Sequence, residues 1–556
     1  MKKIIYTTTI FATLLTGCNF LDDNPQGIMT EKEAISKADE LVTTAYSSLG
    51  NDHYDVPFSL WIYGNVRADD AYKGGQDVSD IQHFHFYEIA QNIDPTFGEA
   101  DRFWFMCYMA ISRTNTALKA LQQASDAEVA NRQSRMGEMY FLRGHFYFVL
   151  KTIFGHIPFV DENTPDSAYE TTPNTLPNDE QWQKIVADFK KAYDLLPNTQ
   201  PQKGRADKYA AAAYLAKAYL YKAYRQSENN SVTGINSQDL QEVLTYTSFA
   251  LGSSYGLEDD FAFNFLPGGY ENGKESMFAV QYSVDDGTQY GRLNWGDQLS
   301  APQKLGCCDF HKPSQNLVNA FKTVNGLPDF DNFNNNDYNA ANDKADPRLF
   351  HTVALPGLPY KYNAELIYKN DWNRNSNVYG FYASLKENVD PSCSCFRNIN
   401  PFRANSKNRI VIRYADVLLM RAEALIELNR SNEALSLINQ VRQRAKQSTS
   451  MIPYATNTDI AVYQNGVNCT WNQEFARKAL RWERRLEFAM EGSRFFDLVR
   501  WGIADQVLND YFAKEKTRRP AIFSSAYFTK NKNEYIPIPQ NQIGYVKGIY
   551  KQNAGF

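Results

Sequence analysis

One segment of the chain has the spacing of a nucleophilic serine. Gly252-Ser253-Ser254-Tyr255-Gly256 reads G-x-S-x-G, and a nucleophile elbow needs a strand before this motif and a helix after it. Here the segment directly follows the amphipathic stretch Gln238–Leu251. Gly252 is therefore predicted to end a helix, and we do not expect Ser254 to be a catalytic nucleophile.

Metal ligands and catalytic carboxylates are sparse as well. His83-Phe84-His85 would place two imidazoles on one side of a strand, but it lacks an evident third ligand, and we interpret it as a structural or surface pair. The oxygen-rich stretch Asp329–Asp346 does not fit the EF-hand spacing; no cofactor is predicted, and calcium stays an open alternative there. Adjacent Asp69 and Asp70 do not predict the facing carboxyl groups, about 5 to 9.5 Å apart, of a glycoside hydrolase. The sequence does not predict an enzyme.

Composition excludes one class of partner. The 556 residues carry 58 basic and 63 acidic side chains, a net charge of −5, and no stretch is rich in Lys and Arg. A nucleic-acid-binding protein normally shows a basic excess on one face, so nucleic acid is not expected. Aromatic residues make up 14% of the chain, and many of them fall in loop-like sequence, where burial is not the obvious explanation.

Apolar spacing predicts a mainly helical protein. Helices are expected at Glu31–Leu49, Arg102–Gln122, Asp126–Phe154, Asp179–Leu196, Ala206–Arg225 and Gln238–Leu251. Thr30 and Glu33 have the spacing of a capping box. The region from Tyr255 to Lys407 is instead rich in Asn, Gly, Pro and Asp, and Ser276–Ser283 alternates as a strand does. Long irregular stretches inside a domain are usually functional.

Two segments predict paired helices. Arg413–Ala445 contains two helices joined at Asn429–Asn432, and its length matches one tetratricopeptide-like helical pair. The Ala- and Tyr-rich run Lys208–Arg225 is predicted to form another such pair with Gln238–Leu251. Helical pairs of this kind cannot bury their apolar faces alone, so they must stack on one another.

The segment Arg481–Gly502 predicts a helix wedged between neighbours. On a helical wheel its apolar face is flanked by two stripes of opposite charge. The face contains Trp482, Leu486, Ala489 and Met490, and the stripes contain Arg477, Arg481 and Arg485 on one side and Glu483, Glu487 and Glu491 on the other. We interpret these carboxylates as ion-pair partners of neighbouring elements rather than as catalytic groups.

The N-terminus predicts export and a lipid anchor. Met1-Lys2-Lys3 is a positive region, and the apolar stretch Ile4–Leu15 is too short to span the ~30 Å core of a bilayer but suits a signal peptide. Leu15-Thr16-Gly17-Cys18 resembles the bacterial lipobox, in which the signal is cut before a lipidated cysteine. Residues 1–17 are therefore predicted to be a lipoprotein signal peptide, Cys18 the lipidation site and residues 18–30 a tether.

Export also permits disulfide bonds. Cys307-Cys308 and Cys393-x-Cys395 lie in loop-like sequence. One hypothesis is a bridge between the two clusters, although sequence alone does not give connectivity. A zinc site is a weaker reading because neither pair has the usual C-x₂₋₄-C spacing.

Several motifs together give a family resemblance over essentially the whole chain. They are Cys18 with Phe20-Leu21-Asp22 and Pro25, Asp346-Pro347-Arg348, RYADVLLMRAEAL at Arg413–Leu425, ERRLEFAMEGSRFFDLVRWG at Glu483–Gly502, and YIPIPQNQI at Tyr535–Ile543. In this order and spacing they resemble the SusD/RagB family of nutrient-binding outer-membrane lipoproteins of Bacteroidetes.

The resemblance implies a SusD-like fold and role. The expected fold is mainly α, with tetratricopeptide-like helical pairs as a scaffold and a loop-rich part that contains short β-strands and carries the ligand site. We expect residues 31–254 to form an N-terminal helical region, 255–407 a loop-rich ligand-binding region and 408–556 a C-terminal helical region of the same domain. The implied role is a lipid-anchored protein on the outer surface of the outer membrane that captures an oligosaccharide or polysaccharide and delivers it to a SusC-like TonB-dependent transporter.

The family has no universal sugar-binding motif, so candidate ligand residues are chosen by type and region. Sugar rings pack their C–H faces on aromatic rings and need a few placed polar groups for their hydroxyls. Loops that combine these residue types offer Arg67, Asp69, Asp70 and Tyr72 in Trp61–Gly75; Asn92 and Phe97 in Ala90–Ala100; Tyr290, Asn294, Trp295 and Asp297 in Asp285–Gln298; and, more weakly, Trp372 in Lys369–Asn377.

Three alternatives to glycan capture stay open at the level of sequence. The protein could be a secreted glycan hydrolase on a helical scaffold, a peptide-binding member of the same family, or a purely structural partner of the transporter. The sequence does not identify the ligand.

Overall fold

The structure is a computed structural model that describes residues 29–289 and 291–556. The predicted signal peptide, Cys18, nearly all of the predicted tether and Tyr290 lie outside the described residues. The α-helices of the described chain are α1 (Glu31–Ser36), α2 (Ala38–Ser47), α3 (Gln82–Glu88), α4 (Gly98–Gln123), α5 (Arg132–Phe154), α6 (Asn178–Leu195), α7 (Lys208–Ala223), α8 (Ser237–Leu251), α9 (Gln315–Ala320), α10 (Arg348–Thr352), α11 (Ser376–Tyr379), α12 (Tyr414–Glu427), α13 (Ser431–Gln447), α14 (Gln473–Glu487), α15 (Arg494–Arg500), α16 (Ala504–Arg518), α17 (Pro520–Phe523) and α18 (Gln540–Tyr545).

The strands are short and pair locally. They are β1 (Ala71–Gly74), β2 (Tyr224–Gln226), β3 (Val232–Ile235), β4 (Ser276–Val280), β5 (Phe310–Pro313), β6 (Lys322–Val324), β7 (Leu327–Pro328), β8 (Lys344–Ala345), β9 (Val353–Ala354), β10 (Pro359–Tyr360), β11 (Asn363–Ile367), β12 (Ala383–Ser384), β13 (Phe396–Ile399), β14 (Phe402–Asn405) and β15 (Arg409–Arg413). Antiparallel pairs form between β1 and β5, β2 and β3, β4 and β15, β9 and β12, β10 and β11, and β13 and β14, and β6 lies between β7 and β8. The predicted mainly helical architecture with short strands is confirmed.

The long helices stack in chain order. Neighbouring helices from α4 to α8 pack on one another, α8 then packs on α12, and α12 packs on α13 and α14. Small residues allow close approach: Gly144 of α5 leaves room for the ring of Phe189 in α6, because a Cβ there would lie 3.1 Å from that ring. The predicted pairs α7–α8 and α12–α13 are confirmed, as are the capping box at Thr30 and the end of α8 before Gly252.

Two local predictions are wrong. His83-Phe84-His85 lies in α3 rather than in a strand, and its imidazoles have different partners, Glu99 at 3.4 Å from His83 and Glu88 at 3.0 Å from His85. Residues Arg481–Gly502 are not one helix, because α14 ends at Glu487. Met490 and Gly492 then adopt left-handed backbone, and a Cβ at Gly492 would lie 2.3 Å from the Ser59 carbonyl oxygen.

The hypothesis of a disulfide between the two cysteine clusters is wrong. The structure pairs Cys307 with Cys308 and Cys393 with Cys395, so each disulfide lies within a cluster rather than between the two. Cys107 and Cys469 are the free cysteines of the described chain. Among the described residues, we find no helix with the length and apolar character needed to cross a membrane.

The charged flanks of α14 form ion pairs on both sides, as the wheel predicts. We call the buried group on the glutamate side the ion-pair hub; it comprises Glu275, Arg348, Arg413, Arg442, Arg444, Glu483 and Glu487, each at most 4% exposed. Arg348 donates to Glu483 at 2.6 Å and to Glu487 at 2.9 Å, and Arg413 joins Glu275 and Glu487. On the arginine side, Arg477 pairs with Glu427 and Arg485 with Asp70.

The hub connects the helical scaffold to the loop-rich part. Arg442 and Arg444 belong to α13, and Glu483 and Glu487 belong to α14. The other three members lie in or next to the loop-rich part: Glu275 precedes β4, Arg348 begins α10 and Arg413 ends β15. Burial alone would raise the pKa of Glu487, but Arg444, Arg413 and Arg348 overcome this effect and hold it well below the ordinary range.

Replacing Glu487 with Gln removes one charge of the hub and leaves buried arginines without full compensation. We expect the free energy of unfolding at pH 7 to fall by about 3 to 5 kcal/mol, measured by urea denaturation with tryptophan fluorescence. Glu474→Gln, at an exposed position in the first turn of the same helix, is the matched control and should change it by less than about 1 kcal/mol.

The wild type and Glu487→Gln also test how the stability contributed by Glu487 depends on pH. A carboxyl whose folded pKa is depressed stabilises the protein fully above its unfolded pKa of about 4.3, and that stabilisation is lost as the pH falls toward the folded pKa. The gap between the wild type and Glu487→Gln should therefore narrow below about pH 4. Equal losses in Glu487→Gln and Glu474→Gln at pH 7 would contradict the role of the hub.

Candidate functional site

The turn Asn294–Gln298 presents Trp295 at the protein surface. Asn294 and Asp297 stabilise this turn from within: the Asn294 Nδ2 donates to the Asp297 carboxylate at 2.7 Å, and the Asp297 backbone N–H donates to the Asn294 Oδ1 at 3.2 Å. The Ser59 hydroxyl also donates to Asp297, and the Gln298 side chain donates to the Trp295 carbonyl at 2.9 Å. Trp295 itself is half-buried.

Two further aromatic residues lie beside this turn. The backbone N–H of Asn294 donates to the carbonyl of Asn405, at the end of β14. Gly296 fits against the loop of residues 51–57, since a Cβ there would lie 2.3 Å from an Asp52 carboxylate oxygen. Tyr54 of that loop and Phe402 of β14 stack on each other, with ring centroids 6.0 Å apart and planes 25° apart.

These contacts place the turn of Trp295 next to the loop of Tyr54 and the hairpin of Phe402, and all three aromatic residues are half-buried. We refer to these three residues as the aromatic surface. The loop of Tyr54, NDHYDVP at residues 51–57, and the hairpin of Phe402, NINPFRAN at 398–405, place aromatics among Asn, Asp and Pro. This is the signal used to choose Trp295, so the same criterion could have found both.

Exposed polar groups border the aromatic surface. The imidazole Nδ1 of His53 lies 2.7 Å from the Asp55 carboxylate, and Arg102 of α4 donates to the same carboxylate at 2.6 Å. Burial opposes ionisation of Asp55, but the bond from His53 and the charge of Arg102 lower its pKa overall. The side chains of His53 and Arg102 are 48% and 54% exposed, so they can donate hydrogen bonds to ligand hydroxyls.

The stretch Trp61–Gly75 has a different environment from the one its sequence suggests. It forms a π-helical turn followed by the buried strand β1. The four candidate residues are at most 3% exposed: Arg67, Asp69, Asp70 and Tyr72. The prediction treated them as a surface loop because their partners are more than 200 residues away in the sequence and leave no local signal.

Those partners show what the buried residues do. Asp69 pairs with Arg485 at 3.0 Å and Arg494 at 2.9 Å, and these cations overcome burial and lower its pKa to about 2. The Arg67 guanidinium lies 4.0 Å from the Phe495 ring centroid. Tyr72 donates to Glu515 at 2.8 Å. These contacts stabilise the interior of the protein. The four side chains are therefore buried and do not form a surface ligand site.

The second and fourth candidate stretches also differ from each other. Asn92 is exposed, and Phe97 is half-buried and stacked on Phe86, with centroids 5.9 Å and planes 16° apart; these two rings form a second aromatic patch. Trp372 is 5% exposed and packs against the buried Tyr360 and Tyr368. It lies in a small hydrophobic core rather than at a surface.

The residues described here contain no group of three or more His, Cys, Asp or Glu arranged to hold a metal ion. In the oxygen-rich stretch Asp329–Asp346, several polar side chains are engaged by other residues. Asp337 accepts from Arg518 at 2.8 Å, and Asn334 accepts from Asn319 at 2.8 Å.

Comparison with known proteins identifies the family. The model of the SusD family matches residues 274–556, about half of the chain, and a second model, described as starch-binding and associating with the outer membrane, matches residues 19–220. The chain belongs to the SusD family. The predicted resemblance is confirmed.

Relatives match the SusD-family chain over nearly its whole length. SusD-like protein P2 of Formosa agariphila is 24% identical, and the alignment covers 100% of both chains. A SusD superfamily protein from Bacteroides vulgatus has the same fold, with a TM-score of 0.70 at 22% identity over 95% of this chain and 99% of its own. A laminarin-binding SusD-like protein matches with a TM-score of 0.65 at 22% identity over 94% and 99%.

Family membership removes one of the alternatives that the sequence left open, the secreted glycan hydrolase. Proteins of the SusD family are non-catalytic binding proteins, so this chain is a binding protein and not an enzyme. The position of Ser254 is consistent with this, because its G-x-S-x-G segment follows the end of α8 and not a strand, as a nucleophile elbow would require.

A buried carboxyl group lies directly beneath the turn of Trp295. Asp52 is 6% exposed, and neither of its side-chain oxygens has a hydrogen-bond partner within the described part of the SusD-family chain. Burial raises its pKa to about 7, although the charge of Arg409 opposes the shift. A Cβ at Gly296 would lie 2.3 Å from an oxygen of this carboxyl group, so the turn packs closely against Asp52.

Asp52→Asn should stabilise the protein at alkaline pH. A carboxyl whose folded pKa is raised keeps a proton that the unfolded chain releases, so stability falls as the pH rises from about 4 to 7. A neutral amide avoids this loss, and we expect the free energy of unfolding to rise by roughly 2 to 4 kcal/mol at pH 8 with little change at pH 5. Urea denaturation at both pH values measures the effect.

Asp55→Asn is the control on the same loop. The pKa of Asp55 is lowered in the folded protein, so its charged form stabilises the protein and the amide should reduce stability at pH 8. The same sign for both variants at pH 8 would contradict the assignment of Asp52 as a buried, unpaired acid.

Proposed function

We propose that this SusD-family protein captures a glycan at the aromatic surface and delivers it to a SusC-like TonB-dependent transporter in the outer membrane. The observation that supports this proposal is the contact between three segments that each carry a half-buried aromatic residue, Tyr54, Trp295 and Phe402. Tyr54 stacks on Phe402, and the exposed donors His53 and Arg102 meet at Asp55 of the same loop as Tyr54.

The chemistry of these groups suits a saccharide. Aromatic rings that keep one face free pack against the C–H faces of sugar rings, and a few polar groups then fix the orientation of the hydroxyls. In this proposal Asn294 and Asp297 position Trp295, because their side chains bond to each other across the turn. Tyr290, four residues before Asn294, is proposed as a further ligand contact. The second aromatic patch, with Asn92 and Phe97, is the next candidate.

The anchoring and transfer steps complete the proposal. Residues 1–17 would be removed as a signal peptide, the lipid on Cys18 would hold the protein in the outer membrane at the cell surface, and residues 18–30 would act as the tether. The second family model, described as associating with the outer membrane, begins at residue 19, directly after this cysteine. The stacked helical pairs would provide the surface that rests on the transporter.

The test is glycan binding by residues 19–556, measured by affinity electrophoresis and isothermal titration calorimetry over a panel of polysaccharides. Laminarin is included because one structural relative is a laminarin-binding protein. We expect one glycan to bind and Trp295→Ala or Phe402→Ala to weaken it about 10- to 100-fold, as loss of a central aromatic contact does. Tyr545→Ala is the control, because this tyrosine is 65% exposed and belongs to α18.

The outcomes separate the competing proposals. Binding that survives Trp295→Ala and Phe402→Ala but is lost in Phe97→Ala would move the site to the second aromatic patch. Binding of peptides and of no glycan would replace the glycan with a peptide ligand. Binding that is unchanged in all three variants would contradict both aromatic sites.

A further inference from the structure

A cavity of about 150 Å³ lies behind the turn of Trp295. Asn294 and Asp297 line it, whereas Trp295 does not. The opposite wall comes from the helical scaffold, with His145 of α5 and Tyr214 of α7. A smaller cavity of about 50 Å³ adjoins it and shares Lys217, whose side chain keeps 17% exposure, so the two cavities together extend toward solvent.

The cavity contains a lysine whose ammonium group has no bonded partner among the residues that the structure describes. Lys407 lines it and is 7% exposed, and its ammonium group makes no hydrogen bond or ion pair with any described residue. The two other lysines of the cavity are paired, Lys217 with Asp416 at 3.3 Å and Lys386 with Glu491 at 2.7 Å. Burial lowers the pKa of Lys407, and the nearby carboxylates only partly offset this effect. An unpaired buried ammonium is costly unless something in the cavity solvates it.

The carboxylates of the cavity wall are already engaged. Asp297 accepts from Ser59 and Asn294, Glu387 accepts from His311 and Ser384, and Glu491 pairs with Lys386 and Arg413. Glu387 and Glu491 therefore have charged or imidazole partners of their own, whereas Asp297 has only neutral donors and acts on Lys407 through its charge, without a hydrogen bond between them.

Arg409 adds a second set of donors. It lines the cavity, and its Nε and Nη2 have no hydrogen-bond partner within the described residues. It also faces Asp52, whose oxygens are likewise unbonded and which does not line the cavity. The unbonded cationic donors of Lys407 and Arg409 favour an anionic occupant, and the unbonded Asn264 Oδ1 in the same lining is an acceptor that a ligand hydroxyl would satisfy.

His311 supplies an acceptor on the same cavity. Its Nδ1 lies 2.8 Å from the Glu387 carboxylate, which can only accept when ionised, so Nδ1 carries the proton. In the neutral ring Nε2 is then an acceptor, and this atom is buried and unbonded within the described chain. A ligand hydroxyl would satisfy it. The ring itself is held by Trp61, whose centroid is 5.2 Å away.

We propose that this cavity is a binding site for a small hydroxycarboxylate anion, with the carboxylate at Lys407 and the hydroxyl at His311 Nε2. A cavity of this volume admits a molecule the size of benzene, which is comparable to lactate. The site shares the turn residues Asn294 and Asp297 with the proposed glycan site but not Trp295, and the proposal does not depend on glycan binding.

The probe is sodium lactate, titrated calorimetrically into residues 19–556 at an ionic strength fixed with sodium chloride. Propane-1,2-diol, which has the same carbon skeleton and hydroxyl without the carboxylate, is the matched ligand control. We expect lactate to bind and the diol to give no saturable heat. No saturable heat with lactate, or equal binding of both compounds, would overturn the proposal and leave a cavity that holds water alone.

Lys407→Met locates the site. It removes the ammonium with little change in side-chain length, and we expect lactate to bind about tenfold more weakly or worse, as the loss of a charge-assisted bond predicts. Because the variant also removes an unpaired buried charge, its thermal midpoint should not fall, so a folding defect is not the expected result. Lys119→Met, at an exposed position of α4, is the control, and lactate binding that is equal in both variants would overturn the assignment.

The same titration separates this site from the glycan site. Trp295→Ala should leave lactate binding unchanged, because Trp295 does not line the cavity. Lactate binding that disappears in Trp295→Ala would overturn the separation of the two sites, whether or not a glycan binds.

Discussion

The carboxylates of Glu483 and Glu487 lie in the interior of the protein, where an unpaired charge would cost several kcal/mol of desolvation. Both are fully buried, and arginines from α10, α13 and β15 surround them. These elements can leave the hub only by exposing or unpairing a charge. The requirement for mutual compensation therefore fixes how the loop-rich part sits on the helical scaffold.

The position of the aromatic surface follows from the hub through a short series of contacts. Arg413 of the hub ends β15, and β15 pairs with β4 up to Val280 opposite Arg409. Directly after β4, the backbone N–H of Tyr282 donates to the Asn408 side chain, and Ser283 bridges to Arg292. These bonds hold both ends of the segment that leads to Trp295. A loop of irregular sequence can thus present a ring in a defined place without regular structure of its own.

The sequence was most informative where structure is local. Helical spacing found the scaffold, and the alternation of Arg and Glu in α14 predicted ion pairs on both flanks. Prediction from sequence failed where a residue's partner is distant in the chain, as for Asp69 and Tyr72, which are buried by contacts with Arg485 and Glu515. It also failed where the backbone is unusual, because left-handed residues at Met490 and Gly492 interrupt the expected helix. Trp295 was chosen by its polar neighbours, but Trp372 has similar neighbours and is buried. Residue type alone therefore does not distinguish a binding ring from a core ring.

The central claim, that a glycan lies on the aromatic surface, is tested most directly by a crystal structure of residues 19–556 with an oligosaccharide from the polysaccharide that binds. The account predicts a sugar ring within about 4 Å of the Trp295 side chain, with Tyr54 or Phe402 in contact with the same or the next sugar. A saccharide bound elsewhere, with Trp295 free, would contradict it.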